Sequence, residues 1–133
     1  MRHSLENPQM YIDTNITATQ RLIHACEHYE IPVIYASSST ADSDHLNPYA
    51  WSKYVNEKQF ASSKLLSSGL RFYTVYGEWG RPDMLMMKYM IAKKNNQKFF
   101  LNNNGKHFRD FTYIFDVIEI LKKLLSVKIQ KNE

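Results

Sequence analysis

Cysteine, glycine and long apolar runs are what this chain of 133 residues has least of. A single cysteine, Cys26, cannot close an internal disulfide, which sets the chain apart from disulfide-stapled secreted folds and points to a reducing compartment, the cytoplasm. No apolar run approaches the roughly 20 residues that a bilayer-spanning helix needs, so no membrane association is expected. Met1-Arg2-His3-Ser4 leads into a polar segment rather than the apolar core of a signal peptide. Glycine stands only at Gly69, Gly77, Gly80 and Gly105, so the first half of the sequence has no glycine-rich turn whose amides would cradle a phosphate. Acidic charge is also short: 17 Lys and Arg against 13 Asp and Glu leave +4, much of it in Lys93-Lys94, Lys106, Lys122-Lys123 and the tail. Such a surplus favours anionic ligands, although solvated lysine faces are its commoner origin. Charge alone is the whole case for a nucleic-acid module, and no nucleic acid is expected as a partner.

What is present reads as one α/β domain over residues 1–133, with 44% hydrophobic residues and enough length to bury roughly two thirds of the unfolded chain's surface. Residues 4–8 read as a loop, followed by a helix to about Tyr29 in which Ile12, Ile16, Ile23 and Cys26 form a buried stripe. Asn15 falls beside that stripe, facing either a ligand or solvent. His24-Ala25-Cys26-Glu27-His28 matches a zinc-peptidase spacing, but two histidines without a third ligand make no site, and no metal is expected. Pro32 precedes an apolar strand, Val33-Ile34-Tyr35-Ala36, as a parallel strand covered on both faces should be. A helix from Pro48 to about Leu66 returns the chain to a second strand over residues 70–75, completing a βαβ unit. Tyr76 to Asp83 then forms a ligand-loop candidate, since parallel sheets bind ligands at their carboxyl ends. Asp83 is expected to cap a helix whose Met84, Met87, Met90 and Ile91 stripe belongs to a core. Residues 98–101 and 108–113 read as strands around a tight Asn-Gly turn, before a last amphipathic helix over about residues 116–125.

The chain is organised around the end of the first strand, where Ser37-Ser38-Ser39-Thr40 precedes Pro48-Tyr49-Ala50-Trp51-Ser52-Lys53. With Pro48 opening a helix, Tyr49 and Lys53 stand four residues apart on one face, a proton-transfer layout. A phenol ionises near pH ~10, and lowering it by about three units needs roughly 4 kcal/mol, supplied by the Lys53 ammonium and a second positive charge. Taken alone, a Tyr/Lys pair fits any amphipathic helix, and Tyr54/Lys58 and Tyr89/Lys93 share the spacing. Only Tyr49 follows a hydroxyl cluster and a helix-opening proline.

The blocks Ser4-Leu5-Glu6-Asn7-Pro8, Tyr35-Ala36-Ser37-Ser38-Ser39, Pro48-Tyr49 to Lys53, Leu70-Arg71-Phe72-Tyr73-Thr74-Val75-Tyr76-Gly77, Gly80-Arg81-Pro82-Asp83-Met84 and Arg109-Asp110-Phe111-Thr112-Tyr113-Ile114 occur in this order. Together they resemble the NAD-dependent epimerase/dehydratase branch of the extended short-chain dehydrogenase/reductase family. Within it they are most similar to UDP-glucuronate 4-epimerases of polysaccharide biosynthesis. The resemblance implies a partial Rossmann-like parallel sheet flanked by helices, with part of the small substrate-binding subdomain and with the first βαβ half missing. It implies NAD as cofactor and a UDP-sugar, UDP-glucuronate or UDP-galacturonate, as substrate. In the chemistry it implies, hydride passes from sugar C4 to NAD and back to the other face. Carried over by position, Tyr49 is the base, Lys53 tunes it, and both contact the cofactor, as does Asn15. Ser38 is the catalytic hydroxyl, with Ser39 and Thr40 as alternatives or substrate contacts. Thr74 and Arg81 contact the sugar, Arg81 through a planar fork suited to a uronate carboxylate. Arg109 grips the diphosphate or is a surface arginine at a strand end.

Departures from the family pattern shape the expectation. The strand and glycine turn that hold the NAD pyrophosphate are missing, and the likeness is already running at Ser4. The segment between Ser38 and Tyr49 is shorter than in the family, and the family pattern has further residues around positions 62–68 that this chain lacks. Phe115 stands where the first of two acids is usual. Two readings follow: an epimerase-like chain that works with a complementing N-terminal chain or retains nucleotide-sugar chemistry in reduced form, or a non-catalytic remnant that at most binds nucleotide sugar or self-associates as a homo-oligomer.

Overall fold

A computed structural model describes residues 2–42, 47–106 and 108–126. They divide into two compact units, the first ending at Phe72 and the second spanning Tyr73–Ser126. Both are mixed α/β, each with a two-stranded parallel sheet and flanking helices.

The first unit begins with helix α1, Arg2–Glu6, where a loop was expected. The chain leaves helical geometry only at Asn7 (φ −131°), because Pro8 restricts the residue before it, and the Asn7 amide still closes the turn on His3. Pro8 sits in the first turn of α2, Pro8–Tyr11, which runs without a break through a π-helical turn, Ile12–Thr17, into α3, Ala18–His28. Ile23 and Cys26 are buried and Ile12 and Ile16 half-buried, as the periodicity requires. Glu30 ends the helix in the left-handed region (φ 54°), with Ile31 N–H on the Cys26 carbonyl and Glu30 N–H on that of Glu27.

Strand β1, Val33–Ser38, pairs in parallel with β2, Ser67–Phe72, in a register that sets Tyr35 opposite Gly69 and Ser37 opposite Arg71. Tyr35 stacks on Phe60, centroids 3.9 Å apart. Contrary to expectation, β1 is not covered on both faces: Val33, Ile34 and Tyr35 are half-buried and Ala36 is exposed, because α4 packs on the face that carries Tyr35 and Ser37 while the Ala36 side chain alternates to the other. The crossover is a 3-10 turn, Ser39–Asp42, and α4, Pro48–Ser62. The Asn47 side chain caps α4 by accepting from Ala50 N–H at 3.0 Å. The helix stops short of Leu66 because the Ser62 and Ser63 hydroxyls bond back to the carbonyls of Gln59 and Phe60, competing with the helical ladder.

The second strand is displaced from the sequence reading, running over Ser67–Phe72 rather than residues 70–75. It breaks at Tyr73, and Thr74–Tyr76 becomes β3 of a second sheet, parallel to β4, Phe111–Tyr113. The expected hairpin does not form. Residues 98–101 are not a strand, and Asn103, Asn104 and Gly105 all take positive φ (50°, 51° and 76°) in the 3-10 turn Asn102–Gly105. Three successive left-handed residues overshoot the two that a tight hairpin turn uses. Helices α5, Leu85–Lys94, and α6, Ile114–Ser126, complete the unit. Asp83 does not cap α5: Met84 holds the cap position without a side-chain bond, and the Asp83 carboxylate is taken by Arg81. The methionine stripe is not core either. Met84, Met90 and Ile91 are exposed, with only Ala92 of α5 buried, because three of the stripe's methionines, Met84, Met87 and Met90, line an open cleft beside β3 instead of packing into a core.

Candidate active site

Asn15, Ser38, Ser39, Thr40, Tyr49 and Lys53 all fall in the first unit, and three elements place them. Strand β1 delivers Ser37 and Ser38, both buried, and alternation along the strand sends them to opposite faces. The Ser38 hydroxyl accepts from the backbone N–H of Thr40 at 3.3 Å and from its Oγ1 at 2.9 Å, so the 3-10 turn folds back over the strand end. Helix α4 packs against that turn and presents Tyr49 and Lys53 one turn apart.

The Lys53 Nζ donates to the Ala36 carbonyl at 2.9 Å, which holds the ammonium beside the residues leading into Ser38. Burial pushes the Lys53 pKa below the ordinary lysine value, because a desolvated ammonium is less stable than a hydrated one. The Tyr49 ring meets Tyr11 edge-on at 6.1 Å and is half-buried.

Asn15 lies in the π-helical turn, and its amide Nδ2 donates to Ser52 Oγ at 2.9 Å, while that hydroxyl donates to the Tyr49 carbonyl at 2.8 Å. Asn15 is thereby joined to the backbone of the proposed base. The widened turn leaves carbonyls for side chains: Asn56 Nδ2 donates to the Asn15 carbonyl and Gln59 Nε2 to that of Ile16 at 3.1 Å. Ser52, Asn56 and Gln59 were not singled out in the sequence, where nothing marks polar residues as buried on the inner side of a helix.

Thr74, Arg81 and Arg109 fall in the second unit. Thr74 and Arg81 line one cleft of about 370 Å3, together with Glu78, Trp79, Tyr113 and the methionines Met84, Met87 and Met90. The Arg81 guanidinium forks onto the Asp83 carboxylate, with Nε on Oδ1 at 2.9 Å and Nη2 on Oδ2. Tyr113 O–H donates to the Glu78 carboxylate, and this bond raises the Tyr113 pKa above its usual value. Arg109 is exposed just before β4 and does not line the cleft.

A dinucleotide pyrophosphate needs backbone amides at a glycine turn that opens a helix. Gly69 lies inside β2 against Tyr35, Gly77 and Gly80 close a turn through the Gly80 N–H to Gly77 carbonyl bond, and Gly105 ends a 3-10 turn. None of these four glycines therefore supplies the amide cradle that a dinucleotide pyrophosphate needs.

Protein CapI of Staphylococcus aureus is 38% identical over 152 aligned positions, covering 100% of this chain and 46% of CapI. That alignment is longer than the chain's 133 residues, so gaps fall on its side. A probable UDP-glucuronate 4-epimerase of Rhizobium meliloti (strain 1021) is 31% identical over 96% of this chain and 43% of its own length. Among solved structures, MoeE5 in complex with UDP-glucuronic acid and NAD superposes with a TM-score of 0.81 at 32% identity, over 94% of this chain and 48% of MoeE5. The chain thus spans about half the length of these relatives. The family described as NAD dependent epimerase/dehydratase matches residues 1–133, and it is to this family that the chain belongs.

Proposed function

We propose that this chain carries the proton-transfer and sugar-contact residues of a cytoplasmic nucleotide-sugar 4-epimerase acting on UDP-glucuronate. One observation supports the reading above the others: at the carboxyl end of β1 the Lys53 ammonium is fixed to the Ala36 carbonyl, one helical turn from Tyr49 and two residues before Ser38. Tyr49 takes the proton of the sugar 4-hydroxyl. Lys53, half-buried and partly desolvated, stabilises the phenolate more strongly than a fully hydrated ammonium would. Ser38 orients the substrate oxygen, and Ser39 and Thr40 stand in the turn beside it. Thr74 and Arg81 take the sugar, Arg109 the diphosphate. A uronate carboxylate would replace Asp83 on the Arg81 fork, an exchange of like for like at an exposed site. Bound NAD would supply the oxidation and re-reduction at C4, and its pyrophosphate belongs on a complementing N-terminal chain.

The exposed apolar side chains of α5, Met90 at 61% and Ile91 at 43%, favour a second reading in which the chain self-associates without turnover. Calorimetry with UDP-glucuronate and UDP-glucose separates the two. Tighter binding of UDP-glucuronate, lost in Arg81→Ala, is expected. Equal affinities would remove the uronate assignment, and no binding of either sugar would leave self-association.

A further inference from the structure

We infer that Glu57 is a positioning residue: its carboxylate, shared between Ser37 and Arg71, fixes the seating of α4 on β1 and so places Tyr49 and Lys53 against Ser38. The inference rests on the reading of those three residues as the reacting centre. Lys53 and Glu57 stand one turn apart on α4 and grip consecutive residues of β1. Lys53 Nζ takes the Ala36 carbonyl at 2.9 Å, and the buried Ser37 hydroxyl donates to Glu57 Oε1 at 2.5 Å. Ser38 is the next residue along. With two adjacent positions held by one helical face, α4 can neither slide nor rotate past Ser38.

The carboxylate is itself clamped. Arg71 stands opposite Ser37 in the β1–β2 register and forks onto Glu57, Nε to Oε1 at 2.8 Å and Nη2 to Oε2 at 2.7 Å. Its third nitrogen, Nη1, lies 3.3 Å from Asp42 at the end of the turn that carries Ser39 and Thr40. One charge chain therefore runs from α4 through β2 to the turn around the end of β1. The Glu57 side chain is only 17% exposed, and the Arg71 hydrogen bonds hold its pKa below the ordinary carboxylate value. The arrangement has a direction. Arg71 also pairs with Asp42, so exchanging the two charges would set a carboxylate at position 71 against that of Asp42. A simple helix-to-sheet ion pair would work in either orientation.

The test uses the full chain with Glu57→Gln, Ser37→Ala and the exchange Glu57→Arg/Arg71→Glu, each checked for native circular dichroism. Lysine 13Cε resonances are followed through a pH titration. In the unsubstituted protein Lys53 is expected to titrate below the ordinary lysine value, because its ammonium is partly desolvated. In Glu57→Gln and in the exchange variant it should return to the ordinary lysine range, because a misplaced Lys53 re-enters water; losing a neighbouring negative charge alone would move it the other way. Ser37→Ala, which keeps the ion pair, should raise it part of the way, and it carries the test if the Glu57 variants do not fold. Restoration of the original Lys53 titration by the exchange would overturn the inference, as would an unchanged or lower value in Glu57→Gln. With UDP-glucuronate turnover as a second readout, kcat should fall about 100-fold in Glu57→Gln with KM nearly unchanged. Absence of turnover in the unsubstituted protein would count against the reacting centre, while the Lys53 titration still decides the role of Glu57.

Discussion

Gly69→Ala is a small change with a large expected effect. A Cβ built at Gly69 falls 2.5 Å from Tyr35 Oη and 2.9 Å from its Cε2. Carbon atoms in contact sit about 3.5–4.0 Å apart, so the ring must retreat by roughly 1 Å. Tyr35 cannot retreat freely, because it is stacked on Phe60 at 3.9 Å with the rings 9° from parallel. Overpacking of this kind costs about 1–3 kcal/mol, and disturbing the aromatic pair about 0.5–1.5 kcal/mol more. Alanine recovers roughly 0.5–1 kcal/mol, since it loses less backbone freedom than glycine on folding. The net loss is about 1–3 kcal/mol, or a fall of roughly 4–12 °C in Tm for a chain of this size. Thermal melts by far-UV circular dichroism measure it, with Tyr35→Ala as the second arm. In the Tyr35→Ala background the same alanine should be neutral or slightly stabilising. Destabilisation by Gly69→Ala of equal size in both backgrounds would refute the argument, since the clash would then lie elsewhere.

Two further outcomes concern the helix that carries Tyr49. Asn47→Ala removes the acceptor for Ala50 N–H and should lower stability by about 1 kcal/mol, with Asn47→Asp or Asn47→Ser retaining most of it, read by urea denaturation. Glu57 should shape the acid limb of the stability curve. Its folded pKa lies below the unfolded value of 4.5, so its contribution is fully present above that value and is lost as pH falls through the depressed folded pKa. Urea midpoints between pH 3 and 7 should therefore decline more gently on the acid side in Glu57→Gln than in the unsubstituted protein.

Local chemistry made much of the first unit legible. Asn47 and Pro48 mark the start of α4, and the helix places Tyr49 and Lys53 on one face because their spacing requires it. The misreadings came where a local signal competes with another. Asn-Gly announces a tight turn, yet Asn103 before it adds a third left-handed residue, and β4 pairs with β3 instead of with residues 98–101. Met84, Met87, Met90 and Ile91 follow a buried pattern, but periodicity reports an apolar face without saying what covers it. Other features are long-range and leave no local trace. Ser37, Asp42, Glu57 and Arg71 become one network only through the parallel register, and Asn15 meets Ser52 across 37 positions. The π-helical turn that frees the carbonyls of Asn15 and Ile16 has no composition of its own.

The most direct measurement is conversion of UDP-glucuronate to UDP-galacturonate, assayed with NAD on the full chain alone and with a complementing N-terminal chain. Turnover is expected in the complemented arm. Tyr49→Phe should lower it by about 100-fold to 10,000-fold, the share that a positioned acid or base contributes, while Tyr54→Phe leaves it intact. Activity that survives Tyr49→Phe and is lost in Tyr54→Phe would contradict the assignment of the base, and no turnover in either arm would contradict the epimerase reading itself.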